Sequence, residues 1–375
     1  MRNSTRQKGG QTPETRPRHR VSETEPRERG RRAETGKMIE VTSFTMDELK
    51  KVFNDHYAPI AVLTTAGMGL VLLRRWMSGG VCRSLARMDG KTVVITGANT
   101  GIGKETAVDL ARRGARVVLA CRDEGKAQAA ADEVRQRSGN SDVVVERLDL
   151  ASLASVREFS RRLHDTEKRL DVLVNNAGLM RCPKWKTEDG FEMQFGVNHL
   201  GHFLLTNLVL DMLQKSAPSR VINVSSLAHT RGKIHFDDIN LDQNYNPGTS
   251  YNQSKLANVL FTRELARRLQ GTGVTVNSLH PGVVKTEVGR HVLDGVAAWK
   301  CAMLYPLVLL LLKTPPQGAQ TSIYCAVAEE LEDVSGLYFS DCAPKDVAPQ
   351  GKDDDTARRL WELSARMVGM ETDGK

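Results

Sequence analysis

From Gly90 onward, short apolar runs alternate with longer amphipathic stretches. The runs fall at Thr92 to Thr96, Arg116 to Cys121, Val143 to Leu148, Asp171 to Val174, Arg220 to Val224, Val274 to Leu279 and Leu337 to Phe339. Between most of them apolar residues recur at spacings of three and four, as in LARRG beyond Val108 and SVREFSRRL after Ala154. The short runs read as strands and the periodic stretches as helices, so the chain is built from βαβ units. Runs apolar throughout suit strands covered on both faces. They predict one α/β, Rossmann-type, doubly wound parallel sheet of about seven strands with helices on both faces. Ligands then bind beyond the strand C-termini, where the strand order reverses.

Ahead of this domain the pattern is different. Tyr57 to Leu73 runs for seventeen residues without a charge, and Arg74, Arg75 and Trp76 close it. As a helix it would span about 25 Å, slightly short of a hydrocarbon core of about 30 Å. A core helix would show a polar face, and only Thr64 and Thr65 interrupt this one. The sequence therefore predicts a basic N-terminal arm over 1–56, a membrane-anchor helix over 57–76 and a linker over 77–89. The α/β domain follows over 90–345, with a C-terminal helix and tail over 346–375.

Composition narrows the possibilities. With 40% apolar and 26% charged residues and 31 glycines, the chain is neither collagen, coiled coil nor wholly disordered. Its net charge of +8 is concentrated in the arm, where residues 1–37 carry eleven Lys/Arg against five Glu. The remainder is nearly neutral, and no nucleic-acid partner is expected. Six cysteines without a CxxC pair suggest neither a zinc site nor a disulfide framework.

The first strand runs directly into Thr96-Gly97-Ala98-Asn99-Thr100-Gly101-Ile102-Gly103-Lys104 and then into a helix. Glycines here permit a tight turn and close approach of a pyrophosphate to N–H groups at the helix start. At the end of the second strand, where an acid would accept from a ribose 2′-OH, the chain reads Ala120-Cys121-Arg122. A guanidinium suits a 2′-phosphate, so NADP(H) is preferred. Lys104 is a candidate second cation, and Asp123 beside Arg122 is the feature that opposes this choice.

Tyr251-Asn252-Gln253-Ser254-Lys255 opens a predicted helix, with Thr249 and Ser250 as candidate caps. Tyr and Lys at i and i+4 share a helix face. A phenol with an ordinary pKa of about 10 exchanges protons well at neutral pH only when lowered, and an ammonium acts in that direction. His199 and His202 in NHLGH have no evident third ligand, so they read as packing histidines and no metal is expected.

Together, the TGxxxGxG loop, Asn175-Asn176-Ala177-Gly178, Asn198, Ser226 and Tyr251/Lys255 resemble the short-chain dehydrogenase/reductase superfamily over roughly residues 90–290. Longer stretches, RCPKWKTEDGFEMQFGVNHLGHFLLTN, SAPSRVINVSSLAH and LHPGVVKTEVGRH, resemble the retinol dehydrogenase 11/12/13 group. The segments APIAVL, AGMGLVLL and SGGVC resemble that group's anchor and linker. The resemblance implies Tyr251 as acid/base, with Ser226 (Ser225 as alternative) on the same carbonyl oxygen. Lys255 would hold the nicotinamide ribose and depress the tyrosine, and Asn198 would hold a proton-passing water. For the cofactor it implies Gly97, Asn99, Thr100, Gly101, Ile102 and Gly103, with Asp149 at the adenine. Asn176, Ala177 and Gly178 would line its bed, and Pro281, Gly282 and Thr286 would flank the nicotinamide.

The same resemblance makes the apolar segment 296–312, which contains Pro306, a substrate lid. It implies NADPH-dependent retinal reduction or retinol oxidation on an organelle membrane, mitochondrial inner membrane before endoplasmic reticulum. Other lipid aldehydes or a steroid ketone are alternative substrates. A non-catalytic NADPH-binding membrane scaffold is the alternative of another class.

Overall fold

The computed structural model describes residues 45–286 and 312–370. Most of the basic arm and nearly all of the proposed lid over 296–312 lie outside the described residues. The strands are β1 (Thr92–Thr96), β2 (Arg116–Cys121), β3 (Val143–Arg147), β4 (Val172–Asn175), β5 (Ser219–Val224), β6 (Val274–His280), β7 (Tyr338–Ser340) and β8 (Ala343–Pro344). They form one sheet in the order β3-β2-β1-β4-β5-β6-β7-β8. All pairs are parallel except β7–β8. The expected seven runs are thus all strands, and an eighth is added. It is a two-residue antiparallel return strand after a turn in which Asp341 and Cys342 both take positive φ.

The helices are α1 (Met46–Val52), α2 (Ala58–Met77), α3 (Gly101–Arg112), α4 (Glu124–Ser138), α5 (Leu153–Thr166), α6 (Met193–Phe195), α7 (Gly201–Leu208), α8 (Leu210–Lys215), α9 (Pro247–Arg268), α10 (Pro315–Val327) and α11 (Asp354–Met367). Strand alternation divides the core into two layers. Val93 and Ile95 of β1 pack with Ala107 and Leu110 of α3, Ala127 of α4 and Ile323 of α10. Val94, between them, faces the opposite layer of Phe159 from α5, Phe203 from α7, Leu260 from α9 and Leu360 from α11. The core therefore continues past residue 345 into the C-terminal helix.

α2 buries none of its residues, which removes the core-helix reading. Its twenty residues span about 30 Å, the thickness of a hydrocarbon core. The compact unit that contains the sheet begins at Thr64.

Candidate active site

The strand order reverses between β1 and β4, and a cavity of about 660 Å³ opens at the strand C-termini there. Gly97, Asn99, Thr100, Gly101, Ile102, Arg122, Asp149, Asn176, Ala177, Gly178, Ser226, Tyr251, Lys255, Pro281, Gly282 and Thr286 all line it. Two of the expected residues, Gly103 and Asn198, do not.

Gly97 and Gly101 take φ of +64° and +59°, which a side chain would oppose. A Cβ on Gly97 would stand 2.9 Å from Ala177 Cα, so the loop after β1 is packed on the loop after β4. The hydroxyl of Thr96 stitches them, accepting from the N–H groups of Asn176 and Ala177 at 2.9 Å each. Gly103 serves this packing from behind, since a Cβ there would be 2.5 Å from Asn176 Nδ2 and 2.7 Å from Gly97 O. The cavity thus meets the first turn of α3, whose backbone N–H groups suit a pyrophosphate.

Arg122 has no side-chain partner among the described residues. Its neighbour Asp123 is occupied as the N-cap of α4, accepting from Lys126 N–H at 3.0 Å. One oxygen of Asp123 is therefore used in capping, while the residue still lines the cavity beside Arg122. Lys104 is not the second cation, because its Nζ is 2.6 Å from Glu133 on α4 and it does not line the cavity. Lys126, four residues after Arg122, lines it instead, with its Nζ 3.9 Å from Asp123 Oδ2. The glycine turn and these side chains fit a nicotinamide dinucleotide.

At the other end, α9 starts earlier than its sequence suggested. Asn246, rather than Thr249 or Ser250, caps it, accepting from Gly248 and Thr249 N–H, with Pro247 at the first position. Tyr251 and Lys255 follow one turn apart, with Nζ 5.8 Å from the ring centroid. Lys255 Nζ donates to Val224 O at 3.0 Å, which holds it at the end of β5. The Ser225 hydroxyl is committed to Lys255 O at 2.7 Å, whereas the Ser226 hydroxyl accepts from Ala228 N–H at 3.2 Å and is near enough to the Tyr251 phenol to act against its rise. This distinguishes the two serines.

The electrostatics differ from the expected lowering of Tyr251 by an ammonium. Burial pushes the phenol up, and the Ser226 hydrogen bond acts against that rise. Burial also lowers Lys255 to about 8, so that it stays mostly charged at neutral pH.

Asn198 sits in a π-helical turn, Gly196–Leu200, and works on the cavity wall through the backbone. Its amide accepts from Leu179 N–H at 2.8 Å and donates to Leu179 O at 3.0 Å. Leu179 and Met180 line the cavity, as do Leu227 and Val283, which are 51% and 64% exposed. His280, next to Pro281, also lines it. None of these five was singled out from the sequence: Leu179, Met180 and Val283 sit in loops, Leu227 opens a short 3-10 turn and His280 is the last residue of β6, positions that no periodicity marks. For Lys126 the i+4 spacing from Arg122 was an available signal.

His199 and His202 are buried, and among the described residues no three potential ligands cluster around a metal position. His199 lies among Phe195, Phe203 and Phe261, and His202 bridges Thr96 Oγ1 and Asn198 O. Burial lowers the two rings to about 3 and about 4. The unfolded chain therefore binds protons first as pH falls below about 6.5, and stability declines from there downward by up to about 1.4 kcal/mol per pH unit per ring. Thermal melts between pH 7 and pH 5 should show a falling midpoint in the wild type and a shallower fall in His202→Gln. Parallel slopes would contradict this assignment.

Comparison with known proteins agrees with this geometry. The family described as short chain dehydrogenase matches residues 91–296. Human retinol dehydrogenase 13 is 57% identical over 84% of this chain and 95% of its own length. Mouse retinol dehydrogenase 11 is 52% identical over 80% of this chain and 93% of its own. Among solved structures, a Mycobacterium paratuberculosis protein at 37% identity matches with a TM-score of 0.63, covering 78% of this chain and 98% of that one. The Pseudomonas aeruginosa RhlG/NADP active-site complex matches at 28% identity with a TM-score of 0.53, covering 68% and 95%.

Proposed function

Because this chain belongs to the short-chain dehydrogenase family and is an alcohol/carbonyl oxidoreductase, we propose that it is an NADP(H)-dependent retinal reductase and retinol dehydrogenase. The observation that carries the reading is one cavity lined by Tyr251, Ser226 and Lys255 and also by the unpartnered Arg122 with Lys126. The retinoid assignment is supported by the retinol dehydrogenases at 50–57% identity. The apolar rim of Leu227 and Val283 suits such a substrate.

When bound, the nicotinamide supplies a hydride to the carbonyl carbon. Tyr251 delivers the proton to the carbonyl oxygen, which Ser226 holds by a hydrogen bond. A phenol raised by burial is protonated at neutral pH, the form that reduction needs. Lys255 holds the nicotinamide ribose, and Asn198 orders a water that returns protons toward Lys255. Gly97, Asn99, Thr100, Gly101 and Ile102 with Asn176, Ala177 and Gly178 form the dinucleotide bed, Gly103 supports it from behind, Asp149 lies at the adenine and Pro281, Gly282 and Thr286 run along the nicotinamide.

α2 anchors the protein in an organelle membrane, the mitochondrial inner membrane in preference to the endoplasmic reticulum. Retinal then reaches the cavity from lipid.

The test is steady-state oxidation of NADPH and NADH by the full-length protein in detergent, with all-trans-retinal and a medium-chain aldehyde side by side. NADPH-linked turnover of retinal is expected. Arg122→Ala should raise the KM for NADPH roughly 10- to 100-fold, the loss of a charge-assisted contact, and leave that for NADH nearly unchanged. An equal effect on both cofactors would remove Arg122 from the 2′-phosphate. NADPH binding without turnover of either aldehyde would favour the scaffold reading or a ketone substrate.

A further inference from the structure

One buried ammonium is not used by this chemistry. Lys313, 7% exposed, stands just before α10 and pairs with Asp341 of the β7–β8 turn. It grips the cavity wall in two ways. Its backbone bridges the strand-like segment after β6, with Lys313 N–H donating to Val283 O at 2.9 Å and Lys285 N–H to Lys313 O at 3.0 Å. Its side chain lies against Gly282, where a Cβ would be 2.6 Å from Cδ and 2.8 Å from Cε. Gly282 has φ +91° and lines the cavity, and Thr286 further along the same wall reaches Gly101 of the glycine loop.

The far side of the ammonium is covered by the linker after α2. A Cβ on Gly79, at φ +73°, would collide with Lys313 Nζ and Asp341 Oδ1. The last turn of α2 and the same linker are fastened to α10 and the residues just before it. Arg74 Nη1 donates to Leu312 O at 2.8 Å, Gln317 Nε2 to Ser78 Oγ at 2.8 Å and Cys82 N–H to Gln320 Oε1 at 3.1 Å. Lys313 is therefore wedged between a glycine of the juxtamembrane linker and a glycine of the cofactor cavity.

We propose that Lys313 is a positioning residue for the nicotinamide, setting the Gly282 wall from behind, and that the juxtamembrane linker forms the back of the active site through Gly79. This rests on the reading that Pro281, Gly282 and Thr286 flank the nicotinamide. Neither Lys313 nor Gly79 lines the cavity. Displacement of such a wall misaligns the reacting atoms, and misplacement of that kind from outside the chemistry costs roughly 10- to 100-fold in rate.

The experiment uses full-length Lys313→Ala, Lys313→Met and Gly79→Ala beside the wild type. It measures NADPH stoichiometry, the fluorescence of bound NADPH and the single-turnover rate per cofactor-binding site. Lys313→Ala and Gly79→Ala should each bind one NADPH, shift its emission to longer wavelength as water reaches the ring, and lose roughly 10- to 100-fold in hydride transfer. Lys313→Met keeps the methylene stem against Gly282 and should recover most of the rate. Wild-type emission and wild-type rate per bound cofactor in Lys313→Ala, with only a lower melting temperature, would overturn the proposal. The emission readout needs no carbonyl substrate. A wild type that fails to reduce retinal would thus count against the retinoid reading while the emission still decides this one.

Discussion

Tyr251→Phe should lower retinal reduction by about 10²- to 10⁴-fold while NADPH binding and the melting temperature stay close to wild type. The substitution removes one oxygen and keeps the ring that packs at the start of α9. In the proposed mechanism Ser226 would still hold the carbonyl oxygen but could not replace the proton assigned to the phenol. Lys255 is held elsewhere, its Nζ donating to Val224 O at the end of β5. Stopped-flow oxidation of bound NADPH on mixing with all-trans-retinal separates chemistry from binding. Retained turnover would remove Tyr251 from the proton-transfer role and favour a different donor in the same cavity.

The second large effect is expected at a residue that does not touch the cavity. Gly103→Ala puts a methyl group 2.5 Å from Asn176 Nδ2 and 2.7 Å from the Gly97 carbonyl. Neither neighbour can yield freely, because the Asn176 amide donates to Thr96 O at 2.8 Å and the Gly97 carbonyl belongs to the cofactor loop itself. Overpacking of this kind costs about 1–3 kcal/mol. Here it acts on both loops that hold the dinucleotide. Gly103→Ala should thus lower the melting temperature by several degrees and weaken NADPH binding by roughly tenfold or more. Gly125→Ala is the control. Only Asp123 Oδ1, at 3.6 Å, is near a Cβ there, and alanine inside a helix is favoured by about 0.5–1 kcal/mol. Equal behaviour of the two variants in calorimetry and cofactor titration would refute the packing argument.

The parts of the molecule that were legible in the sequence are those in which burial imposes a period. Val93 to Ile95 and Val117 to Leu119 are apolar throughout because both sheet faces are covered, so the strands could be read directly. β8 could not, since two residues including a proline carry no alternation. In the candidate site, the glycine loop and the Tyr251/Lys255 pair were visible because their spacing is fixed by local backbone geometry. Long side chains were harder to read. Lys104 and Lys126 both lie near the cofactor loop, and the fold separates them: Lys104 turns to Glu133 on α4, whereas Lys126 lines the cavity. The direction of the Tyr251 shift was missed for the same reason: it depends on how deeply Lys255 and the phenol are buried, which no spacing records. Asn198 was found as a residue but not as the clamp on Leu179 that its amide forms.

The return strand β8 has a bearing on the protein's behaviour in crowded surroundings. An open parallel sheet ends in a row of free backbone donors and acceptors onto which another chain can extend. Here that edge is a two-residue strand, Ala343–Pro344, with an imino acid that has no N–H to offer. Strand-to-strand polymerisation is blocked on that side. Molecules concentrated side by side can meet there without being recruited into a continuous sheet.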